Sequence, residues 1–153
     1  MHDPPFLTQG SANHHNYSLK MNKIEHIGIA VKDLESSNQL FSLLLNSRPY
    51  KNEAVESEGV ITSFFQMGDS KIELLAATHA ESPIAKFIDK KGEGIHHIAF
   101  DVDDIELEIS RLQAVGFELI NKSPKPGADN KIIAFLHPKS TGGVLVELCM
   151  DKK

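Results

Sequence analysis

The feature that most constrains this chain is that it carries the same short pattern twice. His26-Ile-Gly-Ile-Ala-Val-Lys-Asp-Leu34 returns as His97-Ile-Ala-Phe-Asp-Val-Asp-Asp-Ile105, displaced by 71 residues. In each copy an alternating strand runs into an acidic turn and then into apolar residues at helical spacing. Leu34, Phe41, Leu44 and Leu45 are expected on one face of the first helix, and Ile105, Ile109, Leu112 and Val115 on one face of the second. Asp33, and Asp103 or Asp104, are the expected N-caps, because a short carboxylate accepts from the free N–H groups of a first turn. Gly116 reads as the stop of the second helix.

Each copy continues with further strands. In the first, 60–67 and 71–76 flank Gly68-Asp69-Ser70, a hairpin signal. In the second, 131–136 and 144–149 flank the loop 137–143. The closing strands match, Ile72-Glu73-Leu74 against Val146-Glu147-Leu148. Each module therefore reads β-α-β-β-β, with 51–55 the weakest strand pattern in the first. Between the modules Ser82 caps a short helix that opens on Pro83 and runs to 88, followed by a linker at 90–94. Pro124-Lys-Pro-Gly-Ala128 reads as a loop over the cleft. The expectation is an α+β fold. Two tandem βαβββ modules, 21–92 and 93–151, pair into one curved sheet with a cleft.

Strand alternation decides which side chains share that cleft. Ile27, Ile29 and Val31 pack under a helix, leaving His26, Gly28 and Ala30 on the other face. Ile98, Phe100 and Val102 do the same, leaving His97, Ala99 and Asp101. Glu73 and Glu147 oppose the apolar residues of the closing strands. Each module thus offers one imidazole beside small residues and one carboxylate, all on the helix-free face. Two carboxylates brought together need a positive centre. His26, Glu73, His97 and Glu147 are therefore the expected ligands of one divalent ion. Mixed nitrogen and oxygen ligands suit Co, Mn, Ni, Fe or Zn without choosing among them. Four protein ligands at an octahedral ion leave two positions for a chelating substrate. His96 is expected to point away as a structural residue. His79 and His137 lie in loops without repeat partners and are read as non-ligands.

Composition excludes several roles. A net charge of -5 argues against nucleic acid as the partner. No apolar run approaches the length of a membrane span, so no membrane role is expected. Cys149 is the one cysteine, which forbids an internal disulfide and fits a reducing, cytoplasmic setting. On the Glu147 face, it is expected as a small packed thiol. Residues 1–20 have no apolar period and read as a disordered extension or a non-native start, with Met21 a candidate start. His14 and His15 are then tail residues and not ligands.

Five segments carry a resemblance to known proteins: Glu25-His-Ile-Gly-Ile-Ala-Val31, Lys71-Ile-Glu-Leu-Leu75, Ser82-Pro-Ile-Ala-Lys-Phe87, Gly94-Ile-His-His-Ile-Ala99, and His137-Pro-Lys-Ser-Thr-Gly-Gly-Val-Leu-Val-Glu-Leu148. Over roughly residues 21–151 the chain resembles the vicinal oxygen chelate, or glyoxalase, superfamily, and within it the methylmalonyl-CoA epimerase family. The resemblance implies interconversion of (2R)- and (2S)-methylmalonyl-CoA by proton transfer at C2 through a metal-stabilised enolate. It implies an acyl-CoA substrate, a homodimer, and a divalent metal, cobalt foremost, held at positions matching His26, His97 and Glu147. The position of Glu73 is glutamine or glutamate in the family. Glu147 matches one catalytic base. The position of the other falls on Thr62, and threonine is a poor base, so Glu73 is the expected second acid/base. Lys125, Lys131 and Lys139 are candidate contacts for CoA phosphates. The alternatives are a glyoxalase I-like lactoylglutathione lyase and a non-enzymatic small-molecule-binding protein of the same fold. A ring-cleaving dioxygenase fits less well, because such sites use one carboxylate and two histidines.

Overall fold

The strands that open the two repeats lie side by side at the centre of the molecule. A computed structural model describes residues 20–152; the expectation for residues 1–20 falls outside these, apart from Lys20. β1 (Lys23–Ala30) pairs antiparallel with β5 (Gly94–Asp101). On one side β1 is joined in parallel by β4 (Ser70–Ala77), then by β3 (Val60–Met67) and β2 (Lys51–Val55). On the other side β5 is joined in parallel by β8 (Val146–Asp151), then by β7 (Lys131–Leu136) and β6 (Lys125–Pro126). The result is one eight-stranded sheet in the order β2-β3-β4-β1-β5-β8-β7-β6, whose halves mirror the repeat.

Helices cover the outer face where the apolar stripes demand it. α1 (Leu34–Leu45) starts at Asp33, whose carboxylate accepts from the Glu35 N–H, and α3 (Ile105–Ala114) starts at Asp104, which accepts from the Leu107 N–H. Gly116, at φ 100°, returns its N–H to the Gln113 carbonyl just beyond α3. Ile105, Ile109 and Leu112 of α3 pack on Ala134, Leu136, Val146 and Leu148. Leu34, Phe41 and Leu45 of α1 pack on Val31, Phe65, Leu74 and Ala76. Leu44 departs from expectation. It falls about 60° to the side of Phe41 at 3.6 residues per turn, and with Leu40 and Leu43 it is exposed.

Two other boundaries differ from the sequence reading. α2 (Pro83–Lys91), capped by the Ser82 hydroxyl, runs a turn further than expected and shortens the linker to Gly92 and Glu93. The stretch 124–128 is partly strand, since Lys125 and Pro126 pair with β7. The second strand of module two is therefore only two residues long, against five in module one. Among the described residues, no helix is long and apolar enough to cross a membrane.

Candidate metal centre

The concave face of the sheet is lined by His26, Thr62, Glu73, Leu75, His97, Ile133, Phe135 and Glu147, with Ile84 of α2 at one end. Register explains the convergence. Gly28 pairs with Glu73 across β1 and β4, and Ala99 pairs with Glu147 across β5 and β8. Across the central pair, His26 faces Ala99 and Gly28 faces His97. Each imidazole therefore lies over the small residue of the other repeat. A side chain at Gly28 would run into the His97 ring, so the glycine is the cradle of that histidine.

The four expected residues are all buried. The Nε2 atoms of His26 and His97 face each other at 2.9 Å. Glu147 lies 3.1 Å from His26 Nε2 and 3.9 Å from His97 Nε2. One ligand atom each from His26, His97 and Glu147 falls within a sphere suited to a single ion. Glu73 sits on the other side of His26, with its carboxylate 2.8 Å from Nδ1.

A divalent cation fits this donor set. Glu147 Oε2 is buried and makes no hydrogen bond of acceptable geometry, although His26 is near. Burial opposes a charge on His26, but Glu147, Glu25 and Glu73 outweigh it and push the imidazole well above its usual range. The pocket thus demands positive charge at its centre. Burial, reinforced by His26 and His96, pushes His97 well below its usual range and keeps it a neutral donor. Burial is also the main reason that the Glu147 carboxyl is pushed up.

His96 corrects the sequence reading. It lines the cleft, with its Nδ1 2.9 Å from His97 Nδ1 and its ring edge-on to Phe87. Alternation fails here because the register slips: His97 pairs with Gly28 and Ile95 with Ile29, leaving His96 as the extra residue of a bulge. Burial pushes its imidazole down to about 4. His79 and His137 do not line the cleft, and His137 instead caps the turn at Pro138–Ser140.

Sequence reasoning missed a second set of residues. Glu25 is buried, 3.1 Å from His26 Nδ1, and accepts from Lys71 Nζ at 3.0 Å. Burial alone would push Glu25 up, yet hydrogen bonds from His26 and Lys71 hold it at about 2. Lys71 also reaches Asp129 at 2.6 Å, and Asp129 accepts from Tyr50 and pairs with Lys51. Asp129 and Asn130 turn the β6–β7 hairpin with φ of 57° and 58°, a conformation short polar side chains tolerate. The hairpin tip of module two is thereby pinned to module one. Of the lysines considered for phosphate, Lys125 pairs with Glu58 across the cleft and Lys131 pairs with Asp151. Cys149 is fully buried beneath the site, 4.0 Å from Glu25, and burial pushes its thiol far up.

Comparison with known proteins shows the family and the fold. Residues 25–135 match the Glyoxalase/Bleomycin resistance protein/Dioxygenase superfamily. An uncharacterized Bacillus subtilis protein, YqjC, is 40% identical over 132 residues, covering 86% of this chain and 94% of that one. An ethylmalonyl-CoA/methylmalonyl-CoA epimerase of Cereibacter sphaeroides is 38% identical over 128 residues, covering 82% and 96%. Among solved structures, a variant of Streptomyces coelicolor methylmalonyl-CoA epimerase in complex with 2-nitronate-propionyl-CoA superposes with a TM-score of 0.81. It is 31% identical, covering 86% of this chain and 96% of that one.

Proposed function

The chain belongs to the glyoxalase/bleomycin resistance protein/dioxygenase superfamily, and we propose that within it the protein is a metal-dependent epimerase that interconverts (2R)- and (2S)-methylmalonyl-CoA. The observation that carries this reading is the pairing of two carboxylates, Glu73 and Glu147, at opposite nitrogens of one buried histidine. The relatives named above support the acyl-CoA substrate.

In this reading His26, His97 and Glu147 hold the ion, with Glu73 as a looser fourth ligand. A bound divalent ion supplies electrostatic stabilisation of the negative charge that develops on the thioester oxygen as C2 is deprotonated. The remaining chemistry belongs to side chains. Glu147 holds or takes the proton at C2 on one face. Glu73 returns a proton from the other, since Thr62, although buried in the cleft wall, has no acid/base group. Apolar walls from Leu75, Ile84, Ile133 and Phe135 exclude water and give the 2-methyl group a dry surface.

Cobalt is the proposed ion, and the proposed setting is cytoplasmic, in keeping with a single, buried, unpaired thiol. A homodimer is proposed as well, supported by the exposed Leu40, Leu43 and Leu44 on α1; light scattering at micromolar concentration tests it. The function is tested by proton NMR of cobalt-loaded protein with methylmalonyl-CoA in deuterated water. Metal-dependent exchange at C2, lost in Glu147→Gln, is the expected result. A loaded enzyme that leaves C2 unexchanged refutes the substrate assignment.

A further inference from the structure

The two irregularities of the central strand pair are related to each other. β1 and β5 pair residue for residue except at two slips, one between Ile24 and His26 and one between His97 and Ile95. Each slip leaves one residue unpaired, Glu25 on β1 and His96 on β5. The two are 71 residues apart, the spacing of the repeat, and each immediately precedes a cleft histidine. In a regular strand a neighbour of His26 or His97 would point to the opposite face. The extra residue of a bulge lifts that restriction and lets two consecutive side chains enter the same cleft.

What the extra side chains touch is the same atom in both repeats. Glu25 Oε1 lies 3.1 Å from His26 Nδ1, and His96 Nδ1 lies 2.9 Å from His97 Nδ1. Meanwhile the two Nε2 atoms face each other across the centre at 2.9 Å. An imidazole that binds through Nε2 carries its proton on Nδ1, and a fixed acceptor there holds both the tautomer and the ring orientation. We infer that Glu25 and His96 are positioning residues for His26 and His97, placed by a symmetry-related pair of β-bulges to accept the Nδ1–H of each ligand. The inference rests on the metal reading above.

Each acceptor is itself anchored. Lys71 holds Glu25 from behind, and the edge-on contact with Phe87 fixes the His96 ring. The backing differs between the halves, a carboxylate for His26 and a neutral imidazole for His97. Glu73 also lies 2.8 Å from His26 Nδ1, so that proton has two carboxylates in reach.

The test is cobalt affinity of the full chain, by competition with a chromogenic chelator, together with the visible spectrum of bound cobalt. Wild type is expected to take one ion, and His26→Ala to lose it. Glu25→Ala and His96→Ala are expected to bind about 10–100-fold more weakly, with a shifted spectrum. Glu25→Gln and His96→Asn keep an acceptor, an amide oxygen in place of the carboxylate oxygen or the ring nitrogen, and are expected to recover most of the loss. Alanine variants that bind as wild type, or acceptor variants that recover nothing, overturn the inference while leaving the metal reading intact. A wild type that takes no cobalt overturns the metal reading itself. Independently of any variant, nitrogen-15 NMR of the zinc-loaded wild type is expected to show both rings protonated at Nδ1. Ligation through Nδ1 at either ring overturns the inference.

Discussion

Gly28 lies beneath the His97 imidazole with no room for a methyl group: a Cβ placed on it would sit 2.6 Å from Nδ1 and 2.7 Å from Nε2 of that ring. Gly28→Ala is therefore expected to tilt His97 out of the ligand set and weaken cobalt binding by about 10-fold or more. Overpacking in the same place is expected to cost about 1–3 kcal/mol of stability. Chelator competition and a denaturant melt check the two effects separately.

Glu73 can be separated from the ligands by its chemistry. Glu73→Gln keeps an oxygen donor but removes the acid/base group. It is expected to retain the metal while epimerisation falls by about 10²–10⁴-fold. Deuterium exchange at C2 of one epimer, with Glu147 as the acting base, is expected to outlast net epimerisation. Following both epimers by NMR in deuterated water measures this, and equal loss of exchange and epimerisation on both hands refutes it.

Stability at low pH depends on the clasp that joins the modules. Burial tends to push the Asp129 carboxyl up, but Lys51, Lys71 and Tyr50 hold it at about 2, below the ordinary 3.8. A carboxylate depressed on folding contributes stability that is fully present above its unfolded pKa and is lost as pH falls through the folded one. The clasp is therefore expected to contribute above pH ~5 and to fail between about pH 4 and 2. Asp129→Asn is expected to lose about 1–2 kcal/mol at pH 7 and to show a flatter acid limb. Urea melts from pH 7 to 3 give both curves.

Packing of α3 offers a control away from the cleft. Ile109 is buried among Leu136, Val146 and Leu148. Ile109→Ala is expected to cost about 2–5 kcal/mol through lost burial and the cavity left behind. Its cobalt affinity in the folded state is expected to match wild type, which calorimetry on the folded variant checks.

The convergence of the four cleft side chains was legible because two sequence patterns agreed. Alternation put His26 and His97 on the cleft face, and the matching closing strands, Ile72-Glu73-Leu74 and Val146-Glu147-Leu148, put Glu73 and Glu147 beside them. The same logic misread His96, because a bulge inserts a residue without leaving any mark in the apolar pattern. Glu25 was passed over for that reason too, although an acidic residue directly before a cleft histidine, at the repeat position of His96, was a signal in plain view. The Lys71–Asp129 contact joins residues 58 apart and exists only once the halves have docked. Leu44 illustrates a different limit: an apolar residue at the margin of a helical stripe can face either way, and tertiary packing left it exposed.

The antiparallel pairing of β1 with β5 has a stereochemical consequence. A carbon that has lost its proton beside a carbonyl is planar, and a twofold axis lying in its plane exchanges its two faces. The register that sets Gly28 against Glu73 and Ala99 against Glu147 relates the two carboxylates by an approximate twofold axis that runs between the central strands. A duplicated module thus meets a problem posed by handedness. On the proposed assignment of Glu73 and Glu147 as the two acids, one half presents its acid to the front of the carbon and the other to the back. Neither enantiomer is then foreign to the site, because rotating the scaffold onto itself turns one into the approach required by the other.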